Sequence, residues 1–217
     1  MPPTPDPTTV RIILVRHGET AWNAEGRMQG HRDSPLTPTG RAQAAAIAER
    51  IARIPVAALY ASDLGRARET ALPIAERTGL SPQYDERLRE RKLGIFEGLT
   101  EPEIVARHST EWTLFRERDP DWVVPGGESA RERSERTVSF LEEMAARHHG
   151  EAIVAVTHGG VLDGMFRFVV GLSLAVPRHF IIPNGALNVI RFEGGRWMLE
   201  TWGSREHYES EERLNDI

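Results

Sequence analysis

Apolar positions along the chain follow two periods, and the two periods alternate. Val10-Arg11-Ile12-Ile13-Leu14-Val15 is a short apolar run with four β-branched residues, as a buried strand requires. Ala152-Ile153-Val154-Ala155-Val156 is a second such run, and Val56-Ala57-Ala58-Leu59-Tyr60 reads as a third. Between them the spacing becomes helical. Thr37 and Pro38 open a helix as cap and first-turn residue, with Ile47, Ile51 and Ile54 on one stripe. After Ala61-Ser62-Asp63, read as turn and cap, Leu64, Ala67, Ala71 and Ile74 line a second helix that Pro73 should kink or shorten. Residues 81–99 are turn-rich, and Thr100 with Glu103 forms a capping-box pattern that starts a helix running towards Arg118. Ser129 with Glu132 repeats the pattern before a long helix marked by Val138, Leu141 and Ala145, and a mostly apolar helix runs from Gly160 to Gly171. The loop at residues 21–30 is polar apart from Trp22 and Met28.

Strands that alternate with helices pair in parallel through right-handed crossovers, so the chain is expected to be an α/β protein. Near the end, Ala186–Phe192 and Trp197–Trp202 flank Gly194-Gly195, which predicts an antiparallel hairpin. Residues 1–9, rich in proline and threonine, are expected to be a disordered tail, 10–203 one domain, and 204–217 a polar tail.

Composition narrows the function classes. The 217 residues are 40% hydrophobic and 27% charged, with a net charge of -5, so neither nucleic acid nor a membrane surface is an expected partner. No apolar run approaches the ~20 residues of a membrane span, and the start of the chain lacks the features of a signal peptide. A cytoplasmic protein is the expectation. Without cysteine there is no disulfide, thiol nucleophile or thiolate metal site. The histidines show no metal-ligand spacing and there is no P-loop pattern, so neither a metal nor another cofactor is expected.

The chemistry lies at the strand ends. The first run leads into Arg16-His17-Gly18-Glu19-Thr20 and the second into Thr157-His158-Gly159-Gly160. Two strand–His–Gly units deliver imidazoles and a cation to the carboxyl edge of a sheet, where open α/β sheets bind ligands. Arg66 lies in the first turn of a helix, where free N–H groups favour an anion. Two arginines and two imidazoles together suit a dianionic phosphoryl group.

With these blocks in view, the chain resembles the histidine phosphatase superfamily, the phosphoglycerate-mutase-like enzymes. The matching stretches are Leu14–Thr20 with Trp22-Asn23, Asp33–Thr37 with Gly40, and Ser62-Asp63-Leu64 with Arg66 and Thr70-Ala71. Leu88-Arg89-Glu90 with Gly94 and Glu97-Gly98, Pro125–Ser129, and Thr157–Gly160 follow in the family's order, spanning roughly residues 10–190. The resemblance implies a three-layer α/β/α sandwich: a mostly parallel sheet, helices on both faces, and an antiparallel C-terminal strand or hairpin. It implies His17 as the nucleophile, with Arg16, Arg66 and His158 holding phosphoryl oxygens. Asn23 and Gly159 would add phosphate contacts, and Glu90 would protonate the leaving oxygen and then activate water. Taken without the resemblance, Glu90 reads rather as a surface carboxylate paired with Arg89, Arg91 and Lys92, and Asn23 as a loop-capping amide.

Within the family the motifs sit closest to the broad-specificity phosphatases. Arg27–Asp33 and Tyr60–Leu64 resemble the phosphatase versions of their blocks. The 99–125 stretch is shorter than the mutase insertion, and its Arg107, Arg116 and Arg118 stand apart rather than adjacent. The expected activity is therefore metal-independent hydrolysis of a small phosphomonoester through a phosphohistidine. Phosphoglycerate mutase is the alternative, and a non-catalytic phosphate-binding domain the outsider. Residues 95–130 are expected to cover the site, with Trp112, Phe115 and Trp122 packing that segment or lining a pocket. A homodimer is compatible with the sequence but not encoded in any pattern.

Overall fold

The computed structural model describes residues 8–208. Its six strands form one sheet in the order β3-β2-β4-β1-β5-β6. The two apolar runs become its centre: β1 (Val10–Arg16) lies parallel to β4 (Ala152–Thr157), with Arg16 opposite Thr157. β2 (Ala58–Ala61) pairs in parallel on the other side of β4, and β3 (Pro82–Tyr84) is the edge beyond it. β5 (Leu187–Glu193) and β6 (Arg196–Ser204) form the expected hairpin, antiparallel to β1. Gly194 and Gly195 both have positive φ, 56° and 77°, the backbone a two-residue hairpin turn of this twist needs.

Alternation along β1 divides the core. Ile12 and Leu14 face a cluster with Phe140, Leu141, Met144, Leu162 and Met165, from α6 (Ala130–Arg147) and α7 (Gly159–Val170). Ile13 and Val15 face Ile47, Ile51, Ala67, Ala71 and Ile74, from α2 (Pro38–Ile51) and α3 (Gly65–Thr78). Strands buried on both faces read as continuous apolar runs. The result is the expected α/β/α sandwich.

The structure departs from the sequence reading at several elements. Residues 21–24 form a short helix, α1 (Ala21–Ala24), because Thr20 and Asn23 close a capping box around its first turn. β3 was hidden in a turn-rich stretch because it is three residues long and starts on Pro82, which only an edge strand tolerates. α3 is not shortened at Pro73. Ala67, Ala71 and Ile74 bury its inner face on both sides of the proline, and it runs to Thr78. The helix expected from Thr100 towards Arg118 is two helices, α4 (Glu101–Arg107) and α5 (Ser109–Glu117), broken at His108. That break lets Ile104 on one side and Trp112 and Phe115 on the other reach Phe96, in a third small cluster. On α6 the buried stripe is Arg133, Thr137, Phe140, Leu141, Met144 and Ala145, so Leu141 and Ala145 are buried as expected and Val138 lies only half-buried beside them.

Most of each expected terminal tail lies outside the described residues. Of the C-terminal one, Ser204 belongs to β6, and Tyr208 Oη donates to the Asn184 carbonyl at 2.8 Å, so residues 205–208 are turn rather than solvated tail. Among the described residues no helix is long and apolar enough to cross a membrane.

Candidate active site

The register of the sheet builds the site. With Arg16 opposite Thr157, the next residues, His17 and His158, leave the carboxyl edge side by side, and His17 N donates to the Thr157 carbonyl at 3.0 Å. Their rings are 5.1 Å apart, centroid to centroid. β2 ends level with them: Ala61 pairs with Val156, and Ser62 N donates to the Val156 carbonyl. Ser62 Oγ lies 2.8 Å from His158 Nε2 and accepts from Leu64 N at 3.3 Å. Its own proton is thus free to go to His158 Nε2, which leaves Nδ1 of that ring as the N–H.

His17 is 3% exposed. Its Nδ1 lies 2.8 Å from the Gly18 carbonyl, which can only accept, so Nδ1 carries the proton and Nε2 keeps its lone pair. Burial first, and then the charges of Arg66 and Arg16, hold the His17 pKa well below the ordinary histidine value. Burial and then Arg66 do the same to His158. Both rings are therefore neutral near pH 7.

Of the two arginines, Arg16 is half-buried and Arg66 fully buried. Arg16 donates to the Ile182 carbonyl, and burial lowers its pKa to about 10. Arg66 is 1% exposed, bound to Asp33 Oδ1 at 2.6 Å and to the carbonyls of Arg32 and Gly30 at 2.9 and 2.8 Å. Asp33 also caps α3, accepting from Gly65 N at 2.7 Å, so one carboxylate fixes both the helix start and the arginine. The expected cap, Asp63, instead binds the guanidinium of Arg89, whose hydrogen bonds hold its carboxyl below the usual range.

Arg16 Nε, Arg66 Nε and His158 Nδ1 are all buried with no partner. Buried donors are almost always satisfied. These three donors, on the side chains that neighbour His17, are thus not engaged by the protein itself.

Glu90 stands at the side of this position. Its Oε1 accepts from its neighbour's amide, Arg91 N, at 2.7 Å, and its Oε2 from Gly160 N in the first turn of α7 at 2.8 Å. It is not the surface partner of Arg89, Arg91 and Lys92: Arg89 goes to Asp63, and Arg91 to the carbonyls of Glu128 and Trp122. A Cβ at Gly160 would sit 2.2 Å from Glu90 Oε1, and one at Gly159 3.3 Å from Arg16 Nε. Gly160→Ala is thus expected to displace the carboxylate and lower kcat by roughly 10–100-fold, with a cooperative melt retained. Steady-state kinetics beside a melting curve check this.

Asn23 is placed as a cap and more. Its Oδ1 accepts from Thr20 N at 3.2 Å and from Asn184 Nδ2 at 3.1 Å, and Asn184 Nδ2 also reaches the His17 carbonyl at 3.1 Å. With its oxygen occupied, Asn23 has only its amide N–H groups left to offer. Asn184 is a site residue that no local pattern announced. His31, which showed no ligand spacing, lies 2.8 Å through Nε2 from the Glu90 carbonyl.

A cavity of about 640 Å³ opens next to Glu90 and Gly160. α5 and the following loop roof it with Phe115, Arg118 and Trp122, while Trp112 is packing. Five arginines line it: Arg91, Arg116, Arg118, Arg133 and Arg178. Among the described residues no three His, Asp or Glu side chains are grouped to hold a metal ion.

The family model of the histidine phosphatase superfamily (branch 1) matches residues 12–205. The chain belongs to that superfamily. Among its relatives, the metal-independent phosphoserine phosphatase of Arabidopsis thaliana is 39% identical over 204 residues, covering 92% of this chain and 83% of the relative. A probable phosphoglycerate mutase, GpmB, of Salmonella choleraesuis is 34% identical over 198 residues, covering 89% and 90%. The solved structure of a mycobacterial glucosyl-3-phosphoglycerate phosphatase with VO3 superposes with a TM-score of 0.81 at 33% identity, covering 90% of this chain and 99% of that one. In this superfamily member the matched residues enclose the whole edge from His17 to His158.

Proposed function

We propose that the chain hydrolyses a small phosphomonoester by way of a phosphoryl group carried on His17. The observation behind this reading is the trio of orphaned donors on Arg16, Arg66 and His158 around a neutral imidazole with its Nε2 lone pair free. Nε2 attacks phosphorus and the P–O bond to the leaving group breaks. The two guanidiniums offset the charge of a dianion, and the donors take the oxygens as they move towards the equatorial plane, work that a metal ion does in many phosphoryl-transfer enzymes. The Asn23 amide adds a further donor. Gly159 matters by leaving Arg16 room to approach. The leaving alkoxide takes a proton from Glu90. In the second half, Glu90 takes a proton from water as its oxygen attacks the phosphohistidine, which restores His17 and frees phosphate. Covalent capture divides one hard displacement into two easier ones.

Hydrolysis is favoured over mutase transfer because the cavity that begins at Glu90 is rimmed by exposed Arg116 and Asp119, so water can reach the carboxylate that would activate it. The test is phosphate release from a phosphomonoester panel, with interconversion of phosphoglycerates assayed in parallel, all in excess chelator. Release without interconversion is the expected result. Interconversion without release makes the chain a mutase, and neither activity leaves a binding domain.

The neutral histidines predict a pH effect on stability. A histidine with a depressed folded pKa binds its proton more readily when unfolded, so its contribution is complete above the unfolded value and is lost as pH falls below it. Between pH 7.5 and 5.5 each of His17 and His158 should remove about 1 kcal/mol from the free energy of unfolding of the ligand-free protein. Phosphate in the site compensates an imidazolium, so saturating phosphate should flatten the slope. Denaturant titrations across that window, with and without phosphate, measure both.

A further inference from the structure

Thr70 carries a hydroxyl that packing alone does not call for. It is fully buried on the inner face of α3, where Ala67, Ala71 and Ile74 beside it are apolar. Its proton goes to the Arg66 carbonyl at 2.7 Å, which can only accept, so its lone pairs are left for a donor. That donor is Gly18 N, at 3.0 Å. A side chain from the helix that carries Arg66 thus fixes the N–H of the peptide joining His17 to Gly18.

The carbonyl of the same peptide is held by a segment far away in the chain. Asn184 Nδ2 donates to the His17 oxygen at 3.1 Å, and Gly185 N does so at 3.2 Å. Asn184 is itself braced, since Tyr208 Oη donates to its carbonyl at 2.8 Å. Another side is closed by α2, because a Cβ on Gly18 would lie 2.4 Å from the Gly40 carbonyl. The next carbonyl along, that of Gly18, is the acceptor for His17 Nδ1. The pose of this peptide therefore sets where that carbonyl meets the ring, and with it where Nε2 points. Both clamping side chains also reach a residue of the phosphate site: Thr70 through the Arg66 carbonyl, and Asn184 through Asn23 Oδ1 at 3.1 Å.

We propose that Thr70 and Asn184 are positioning residues for His17, clamping the His17–Gly18 peptide so that Nε2 keeps a fixed place relative to Arg66 and Asn23. This rests on the reading of His17 as the nucleophile. The phosphate donors do not depend on the clamp. Without Thr70, the Arg66 guanidinium is still held by Asp33 and by the Arg32 and Gly30 carbonyls. Without Asn184, Thr20 N still donates to Asn23 Oδ1 and keeps that amide in its orientation. Loosening the clamp moves the nucleophile and leaves the donors in place, so the loss falls on the reaction and not on binding.

The experiment follows hydrolysis of p-nitrophenyl phosphate, binding of inorganic phosphate by calorimetry, and thermal melts. Thr70→Val puts a methyl in place of the hydroxyl and leaves Gly18 N without its acceptor. It should lower kcat by about 10–100-fold, the cost of a displacement of about 1 Å at the reacting atom. KM and phosphate affinity should stay within about threefold of wild type, since binding common to the ground and transition states is untouched. Thr70→Ser, which restores the acceptor, should recover most of the rate. Asn184→Ala, on a half-buried side chain, should show the same split with a smaller loss of roughly 5–20-fold, and serves if Thr70→Val does not fold. Wild-type kcat in a folded variant of either residue overturns the clamp alone. So does a loss of phosphate affinity as large as the loss of kcat, or a Thr70→Ser as slow as Thr70→Val, since either assigns a structural role. No release by wild type, or full release by His17→Ala, overturns the nucleophile and the clamp with it.

Discussion

Replacing His17 with alanine is expected to lower kcat for phosphate release by on the order of 10⁴-fold or more, with little change in substrate affinity. In the proposed mechanism the attacking lone pair is that of Nε2, because Nδ1 is tied to the Gly18 carbonyl. No neighbour can take over. His158 has its Nε2 engaged with Ser62, and its remaining nitrogen is the N–H that faces the phosphoryl group in this account. The arginines, Ser62 and Asn184 are untouched by the truncation, so the oxygens of a bound phosphate still find their donors. Phosphate or vanadate affinity should therefore survive, measured by calorimetry beside the rate. Loss of binding together with the rate would mean that the imidazole was holding the site open rather than reacting.

The second large effect belongs to Glu90. Glu90→Gln is expected to reduce kcat by roughly 10²–10⁴-fold for an alkyl phosphate, the usual range for a general acid–base group. An amide can still accept from Gly160 N through its oxygen, while its NH2 leaves Arg91 N without its acceptor, so a melting curve accompanies the rate measurement. The amide cannot give up a proton to an alkoxide or take one from water. An activated ester such as p-nitrophenyl phosphate needs no proton on its leaving group, and its phosphorylation step should be nearly spared. Its steady-state rate would then be limited by the water step, with a burst of p-nitrophenol before slow turnover. An equal loss for both ester types, without a burst, would remove Glu90 from the proton transfers.

How far these effects were legible in the sequence depends on the distance over which the relevant contact acts. β1 and β4 were plain from their β-branched runs, and the His-Gly that follows each was plain with them. That the two strands are neighbours is a matter of pairing, and it is this register that puts His17 against His158. The capping boxes at Thr100 and Ser129 act within four residues and were read correctly. The cap of α3 was misplaced because its acceptor, Asp33, comes from a loop 32 residues away. The break at His108 follows from packing on Phe96, which local propensity does not contain. Asn184 had no signal at all, since a lone asparagine before a strand is an ordinary loop residue. On α6 the expected Leu141 and Ala145 are buried, while Arg133 and Thr137, polar residues on the same stripe, carry no apolar signal. A residue that breaks a local rule in this way is where functional constraint is expected to show.

In the proposed mechanism the phosphoryl group rests on His17 between the two displacements. Rapid mixing of wild type with a hydrolysed phosphomonoester, an alkaline quench that preserves phosphohistidine, and peptide mapping test it directly. The expected result is a phosphoryl group on Nε2 of His17 that forms and decays at least as fast as turnover and is absent from His17→Ala. Full turnover with no phosphorylated histidine, or with the group on another side chain, would contradict it.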